Sequence, residues 1–306
     1  MIAEGPYFDE LSVGQRFDDA PAVTLTSGMA AMHQAIVGDR LAVPLLGVVA
    51  HPALVWNLAI GQSTLATHHV KANLFYRGLA FRRVPVIGDT LSTVTEVVGL
   101  RENVRKEGRA PTGLAALRIT TVDQEGRSVL DFWRCAMLPL RSDEPTGHDD
   151  DLSQLGEAPT EESLRAVAST WELPDLKPTS LEEGDVIEVG GGDVVSSAPE
   201  LARLTLNIAK VHHDAAGGQR LVYGGHTIAL ALAQASRAIP QLVTVVGWEG
   251  CDHTGPVHEG DTLHSRLEVG RIRPLDTGAR LVDLRSIVHA HPDRAVLDWR
   301  FTAVVL

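Results

Sequence analysis

A tandem internal repeat constrains this chain more than any other feature of its sequence. Val13-Gly14-Gln15-Arg16-Phe17 recurs in form as Glu183-Gly184-Asp185-Val186-Ile187, 170 residues further on. Gly88-Asp89-Thr90-Leu91 recurs identically as Gly260-Asp261-Thr262-Leu263 at an offset of 172, and Val129-Leu130-Asp131-Phe132-Trp133 recurs as Val296-Leu297-Asp298-Trp299 at an offset of 167. Three matches in one order at a nearly constant offset mean a duplicated unit, so the two halves must share one fold.

Each half runs through the same elements. A short strand near Gly14 or Gly184 leads into helical segments, Ser27 to Val37 and Ala198 to Val211, the latter with Leu201, Leu204, Ile208 and Val211 at helical spacing. A second helix is expected from Pro52 to about Ile60 and from Gly225 to about Ile239. Pro52 suits a first helical turn, where its missing N–H would have had no partner. In the second helix Ile228, Ala231, Leu232, Ala235 and Ile239 form a stripe, and Ala229, Ala231, Ala233 and Ala235 keep it slim enough for a curved sheet to wrap.

The remainder is strand-like. Thr93 to Leu100, Gly113 to Val122 and Val129 to Leu138 answer to Leu263 to Ile272, Arg280 to Ala290 and Ala295 to Val305. Turns as short as Gln124-Glu125-Gly126 and Pro292-Asp293 require antiparallel pairing. The expectation is two α+β units, residues 1–140 and 180–306. The segment 141–179, rich in Asp, Glu, Pro and Ser and containing Asp149-Asp150-Asp151, reads as a solvated linker rather than an interaction tail, with Pro174 and Pro178 near its end.

A net charge of −12 with no Lys/Arg cluster argues against a nucleic-acid partner. The two cysteines, Cys135 and Cys251, have neither metal-ligand nor disulfide-framework spacing and read as reduced core residues. The stretch Met1 to Asp9 lacks the features of a signal peptide, and no apolar run spans a bilayer, so no membrane association and a cytoplasmic location are expected. There is no P-loop, no GxGxxG and no zinc-type spacing, hence no metal or redox cofactor is expected.

Chemistry concentrates in Leu206-Asn207-Ile208-Ala209-Lys210-Val211-His212-His213-Asp214 and in Tyr223-Gly224-Gly225-His226. Together these bring a titratable imidazole and a side-chain amide to a glycine pair at a helix N-terminus. Such a terminus offers unpaired N–H groups and the positive end of the helix dipole to a carbonyl oxygen gaining negative charge. An enolate-forming reaction needs those parts.

A strand, a slim central helix and an antiparallel sheet around it resemble the hotdog fold. Duplicated in one chain, they resemble the MaoC-like double-hotdog enoyl-CoA hydratases. That family's signature is Asp, then Asn-Pro two and three residues later, then His five residues after the Asp. Here Asn207 takes the Asp position, Ala209-Lys210 the Asn-Pro pair, and His212 the His. Within the family, Asn207-x-Ala209-x-x-His212 followed by Arg220-Leu221-Val222-Tyr223-Gly224-Gly225-His226 resembles the mesaconyl-CoA hydratase (β-methylmalyl-CoA dehydratase) branch, as do Val86 to Thr93 and Val98 to Asn103.

The resemblance implies hydration of mesaconyl-CoA or a similar branched dicarboxylic enoyl-CoA. His212 would be the general acid/base and Asn207 the orienter of water or substrate, with Gly225 N–H, joined by that of His226, the oxyanion donor. The glycine pair equally suits a tight helix entry, and His226 either caps the pocket or sits in the core. Tyr223 and Gly224 belong to the same substrate-binding loop, Asp214 follows the signature His, and His253 is placed to bind a second carboxylate or is an ordinary loop histidine. Arg82, Arg83 and Arg101 are candidates for the CoA phosphates, against the alternative of solvated sheet arginines. Because 207 and 212 are five apart, the helix must end or bend near Ala209 to Val211 for both to meet one substrate.

The first half keeps Asp39 at the signature position but has Pro44 where the His belongs, so one active site per chain is expected, with the first half forming pocket wall. Two other functions stay open: a non-catalytic acyl-CoA-binding scaffold, in which Asn207 marks lost chemistry, and a thioesterase. The duplication supplies internally the pairing that single-hotdog subunits gain by dimerising, and further association into a homodimer stays open as well.

Overall fold

The structure, a computed structural model, describes residues 5–41, 48–170, 173, 177–214 and 218–306. Pro44 and Pro174 lie outside the described residues. The first half runs β1 (Arg16–Phe17), β2 (Val23–Thr24), α1 (Ser27–Val37), α2 (Pro52–Gln62), β3 (Ala72–Phe81), β4 (Thr90–Glu102), β5 (Thr112–Val122) and β6 (Ser128–Pro139). After α3 (Glu161–Ala168) the second half repeats that order as β7 (Val186–Glu188), β8 (Asp193–Val194), α4 (Ala198–Leu204), α5 (Gly224–Ala238), β9 (Leu242–His253), β10 (Thr262–Pro274), β11 (Arg280–Ala290) and β12 (Arg294–Val305).

The strands form one sheet in the order β1-β4-β5-β6-β3-β9-β12-β11-β10-β7, with β2 on β4 and β8 on β10. The halves are joined through the antiparallel pair β3 and β9, where Tyr76 lies opposite Cys251 and Leu79 opposite Trp248. Sequence patterning does not single out these two strands, for a physical reason. Most of β9 and the end of β3 are buried on both faces, so the alternation that marks a half-exposed strand is missing.

Each half wraps its sheet around one helix, a double hotdog. Every residue of α2 is buried, as a helix apolar on all sides must be. Its Trp56 meets Trp248 of the second half edge to face at 4.9 Å, so the core crosses the seam. One glutamine of each helix bonds to the sheet in the same way. Gln62 donates to the Leu91 carbonyl at 3.1 Å, and Gln234, 172 positions on, donates to the Leu263 carbonyl at 2.8 Å.

Two expectations are corrected. The segment 141–179 is not simply solvated, because α3 buries Leu164, Val167 and Ala168 against the sheet, and the Asp150 carboxylate accepts the Leu100 N–H at 2.8 Å. Helix α4 ends at Leu204, well short of Val211. Leu206 takes a left-handed backbone with φ 57°, and Asn207 Oδ1 accepts the Ala209 N–H at 3.0 Å. The Asn side chain thereby competes with the helix for a backbone donor, and the chain re-enters as a 3-10 turn, Lys210–His212.

Candidate active site

The break after α4 puts Asn207 and His212 on one cavity of about 280 Å³ at the seam between the halves. Its walls come from both. The first half supplies Ala72 to Leu74 and Tyr76 of β3, Thr64 and Arg134; the second supplies Asn207, His212, Tyr223, Gly224, Thr227 and His253. The first half also holds the second half's chemical segment in place. Ile208 N–H donates to Thr64 Oγ1 at 3.0 Å, and Lys210 N–H donates to the His68 carbonyl at 2.9 Å.

His212 Nδ1 lies 2.9 Å from the Leu221 carbonyl, which can only accept. The proton therefore sits on Nδ1 and the lone pair on Nε2, the tautomer a general base needs. Burial pushes the imidazole pKa down to about 4, against the Leu221 bond that raises it, and the neighbouring His213 and Arg134 lower it further. At neutral pH His212 is an uncharged base. Asn207 is 3% exposed and spends its carbonyl oxygen on Ala209, which leaves the amide NH₂ as its donor group.

Of the glycine pair, Gly224 lines the cavity and Gly225 does not. A Cβ at Gly224 would stand 2.6 Å from His253 Nε2, so the glycine lets that ring lie directly on the start of α5. Gly225 instead faces Asn57 and the ring of Tyr223, whose hydroxyl donates to the Asn57 carbonyl at 3.0 Å. The cavity therefore meets the start of α5 at Gly224 rather than at Gly225, the glycine expected there.

Other expectations also change. His226 is fully buried and not on the cavity, because two residues beyond Gly224 a helix has turned roughly 200°. Asp214 is exposed, 3.9 Å from Lys210 Nζ, and not on the lining. Arg82 and Arg83 follow the far end of β3 from its cavity-lining residues, roughly 20 Å from the nearest of them, Tyr76, at strand rise. Arg83 is paired there with Asp89 and Asp123, both at 2.9 Å. Tyr223 and His253 do line the cavity, and His253 Nε2 is buried without a hydrogen-bond partner. Sequence reading missed Arg134; the available signal was a charged residue in the inward register of β6, between Phe132 and Ala136.

The first half's counterpart carries an imidazole after all. Asp39 Oδ2 is 2.8 Å from His51 Nε2, and His51 Nδ1 accepts the Ala53 N–H at 3.1 Å, so the proton on Nε2 goes to the carboxylate. Burial works to raise the Asp39 pKa, but His51 and the Leu41 N–H hold it below the ordinary value. His33, Asp39 and His51 bring donor atoms within 4.8 Å of one another. A cation on His51 Nε2 would displace that proton and undo the helix cap with it. None of the three lines the cavity.

Four histidines are neutral in the fold because burial disfavours their charged forms: His33 is lowered to about 3, and His212, His226 and His253 to about 4. The unfolded chain protonates such rings near pH 6.5, so unfolding takes up protons between there and about pH 4. Stability should be fully present above pH 6.5 and fall as the pH drops, by about 1.4 kcal/mol per pH unit for each titrating ring. Urea midpoints at pH 7.5, 6 and 5 check this; a flat series would show the rings are charged or exposed.

No family model matches the chain. A solved double-hotdog structure, a conserved hypothetical protein of Mycobacterium tuberculosis essential for bacterial survival during infection, is 52% identical, covers 99% of each chain and superposes with a TM-score of 0.89. A β-methylmalyl-CoA dehydratase of Chloroflexus aurantiacus is 27% identical over 292 residues, 87% of this chain and 82% of that protein. A mesaconyl-CoA hydratase of Cereibacter sphaeroides is 26% identical over 321 residues, 94% of this chain and 90% of that one. No helix among the described residues is long and apolar enough to cross a membrane. By identity along nearly its whole length and by fold, the chain belongs to the same double-hotdog family as the Mycobacterium tuberculosis protein, and over most of its length it is similar to the two CoA hydro-lyases.

Proposed function

We propose that the chain is a hydro-lyase that reversibly hydrates an enoyl-CoA thioester, with mesaconyl-CoA or a similar branched dicarboxylic acyl-CoA as substrate, acting in the cytoplasm with no cofactor beyond the substrate's own CoA. The observation that carries this reading is the His212 tautomer: Nδ1–H is tied to Leu221, and Nε2 is a free base on a cavity that Gly224 closes at the start of α5.

In hydration, His212 Nε2 takes a proton from water and the hydroxide adds at Cβ. The electron pair of the double bond moves to the thioester oxygen, which gains negative charge against the Gly224 and Gly225 N–H groups at the start of α5, the His226 N–H being bonded to the Tyr223 carbonyl. The imidazolium then returns its proton to Cα, and one water has been added overall. The Asn207 NH₂ orients the water or the substrate. An amide cannot share the proton work, so one imidazole serves as both base and acid.

A panel of enoyl-CoA thioesters, mesaconyl-CoA among them, tests the reading by loss of the conjugated-thioester absorbance. Release of free thiol instead would mark a thioesterase, and binding without either change would mark a scaffold.

A further inference from the structure

We infer that Arg134 is the receptor for a carboxylate on the substrate's acyl chain, which makes the cavity a site for dicarboxylic acyl-CoA; this rests on the acyl-CoA reading above and names the residue behind its selectivity.

Arg134 is 2% exposed, lines the cavity and has no acidic partner among the described residues. Its acceptors are neutral: the Ser63 carbonyl at 3.1 Å, Thr67 Oγ1 at 2.7 Å and, at 3.5 Å, Asn73 Oδ1. Nε–H is buried with no partner. A guanidinium has five N–H donors, and the ones left over are matched by the two oxygens of a carboxylate. A buried, uncompensated cation is costly in any fold, and a site that leaves one open gains most from an anionic ligand. Burial accordingly lowers the Arg134 pKa from its ordinary value.

The cavity's composition points the same way. The protein has 39 Asp and Glu against 27 Lys and Arg, yet no carboxylate is among the described residues of this wall, while Lys71 and Arg134 both are. Nor does the fold itself need a charge there. In the first half Arg134 pairs across the sheet with Tyr76; in the second, at the repeat's own offsets of 167 and 172, Phe301 pairs with Trp248. The duplicate position is thus filled by an apolar ring that is also 2% exposed.

Binding to a pair of saturated thioesters tests this independently of turnover, because neither can be hydrated. Succinyl-CoA carries a carboxylate where butyryl-CoA carries a methyl, and calorimetry gives both affinities for the intact protein. Wild type should prefer succinyl-CoA by about 10–100-fold, the worth of a charge-assisted hydrogen bond. The ratio should fall toward one in Arg134→Met, and Arg134→Lys should keep part of it. Using the ratio cancels any general weakening caused by losing the Ser63 and Thr67 bonds. Equal affinities in wild type, or a preference that survives Arg134→Met, would overturn the inference even if enoyl-CoA hydration is found. A carboxylate preference that depends on Arg134, with no hydration of any enoyl-CoA, would support it and sink the hydratase assignment alone.

Discussion

Replacing His212 with alanine is expected to lower kcat/KM for enoyl-CoA hydration by about 10²–10⁴-fold, the usual contribution of a general acid/base. The expectation is at the upper end of that span because no second group shares the proton transfer. Asn207 has an amide where a carboxylate would stand, and its oxygen already accepts from Ala209. His253 lies on the same wall, but its ring packs on Gly224 and the structure ties it to no proton donor or acceptor at Nε2. The pH profile should agree. With His212 as the proposed neutral base and its pKa pulled down to about 4 by burial, kcat/KM should be level from pH 8 to 5 and decline only as the pH approaches 4. An acid limb near 6.5 would mean an ordinary, solvated imidazole. An unchanged rate in His212→Ala would remove the residue from the mechanism altogether.

Gly61→Ala should cost about 3 kcal/mol or more of folding stability, the upper range for overpacking a closed core, and should depress turnover as well. Gly61 is on α2 of the first half, yet a Cβ there would overlap the Thr205 carbonyl and stand 3.1 Å from the Asn207 nitrogen. Backbone meets backbone at that point, so no side-chain rotation relieves the overlap. Relief requires moving the 205–208 strand of chain, which carries the left-handed Leu206 and the Thr64 contact that fix Asn207. Gly28→Ala, in exposed α1 with nothing nearer than 3.8 Å, serves as the control and should leave the urea midpoint unchanged or slightly raised. A Gly61→Ala protein with wild-type stability would show that the two halves do not pack as closely as described.

Much of the architecture was legible because it rests on local patterns. The outer strands of both halves, the slim helix of each half and the repeat that relates them follow from alternation, helical spacing and turn residues, and the observed α1 has the bounds expected for it. What local patterns could not supply were β3 and β9. Burial on both faces erases their alternation, and it is their pairing that makes two hotdogs one sheet.

The candidate site divides in the same way. His212, Asn207, Tyr223, Gly224 and His253 are near one another in sequence or follow a recognisable signature, and the cavity gathers all five. Arg134 is far from them in the chain and belongs to the other half; only the closure of the sheet brings it to the same wall. Arg82 and Arg83 illustrate the converse, since the length of a strand carries them away from a cavity that its opposite end helps to form.

The sequence by itself determined the repeating unit and the imidazole, amide and glycine pair that gather on one cavity, because residue type and short-range spacing are properties of the chain. Only the tertiary structure decided which glycine meets the cavity, which imidazoles are kept neutral and where a lone guanidinium is buried. Those depend on what packs against each group across the seam, and burial and contact between distant segments are set by the fold as a whole.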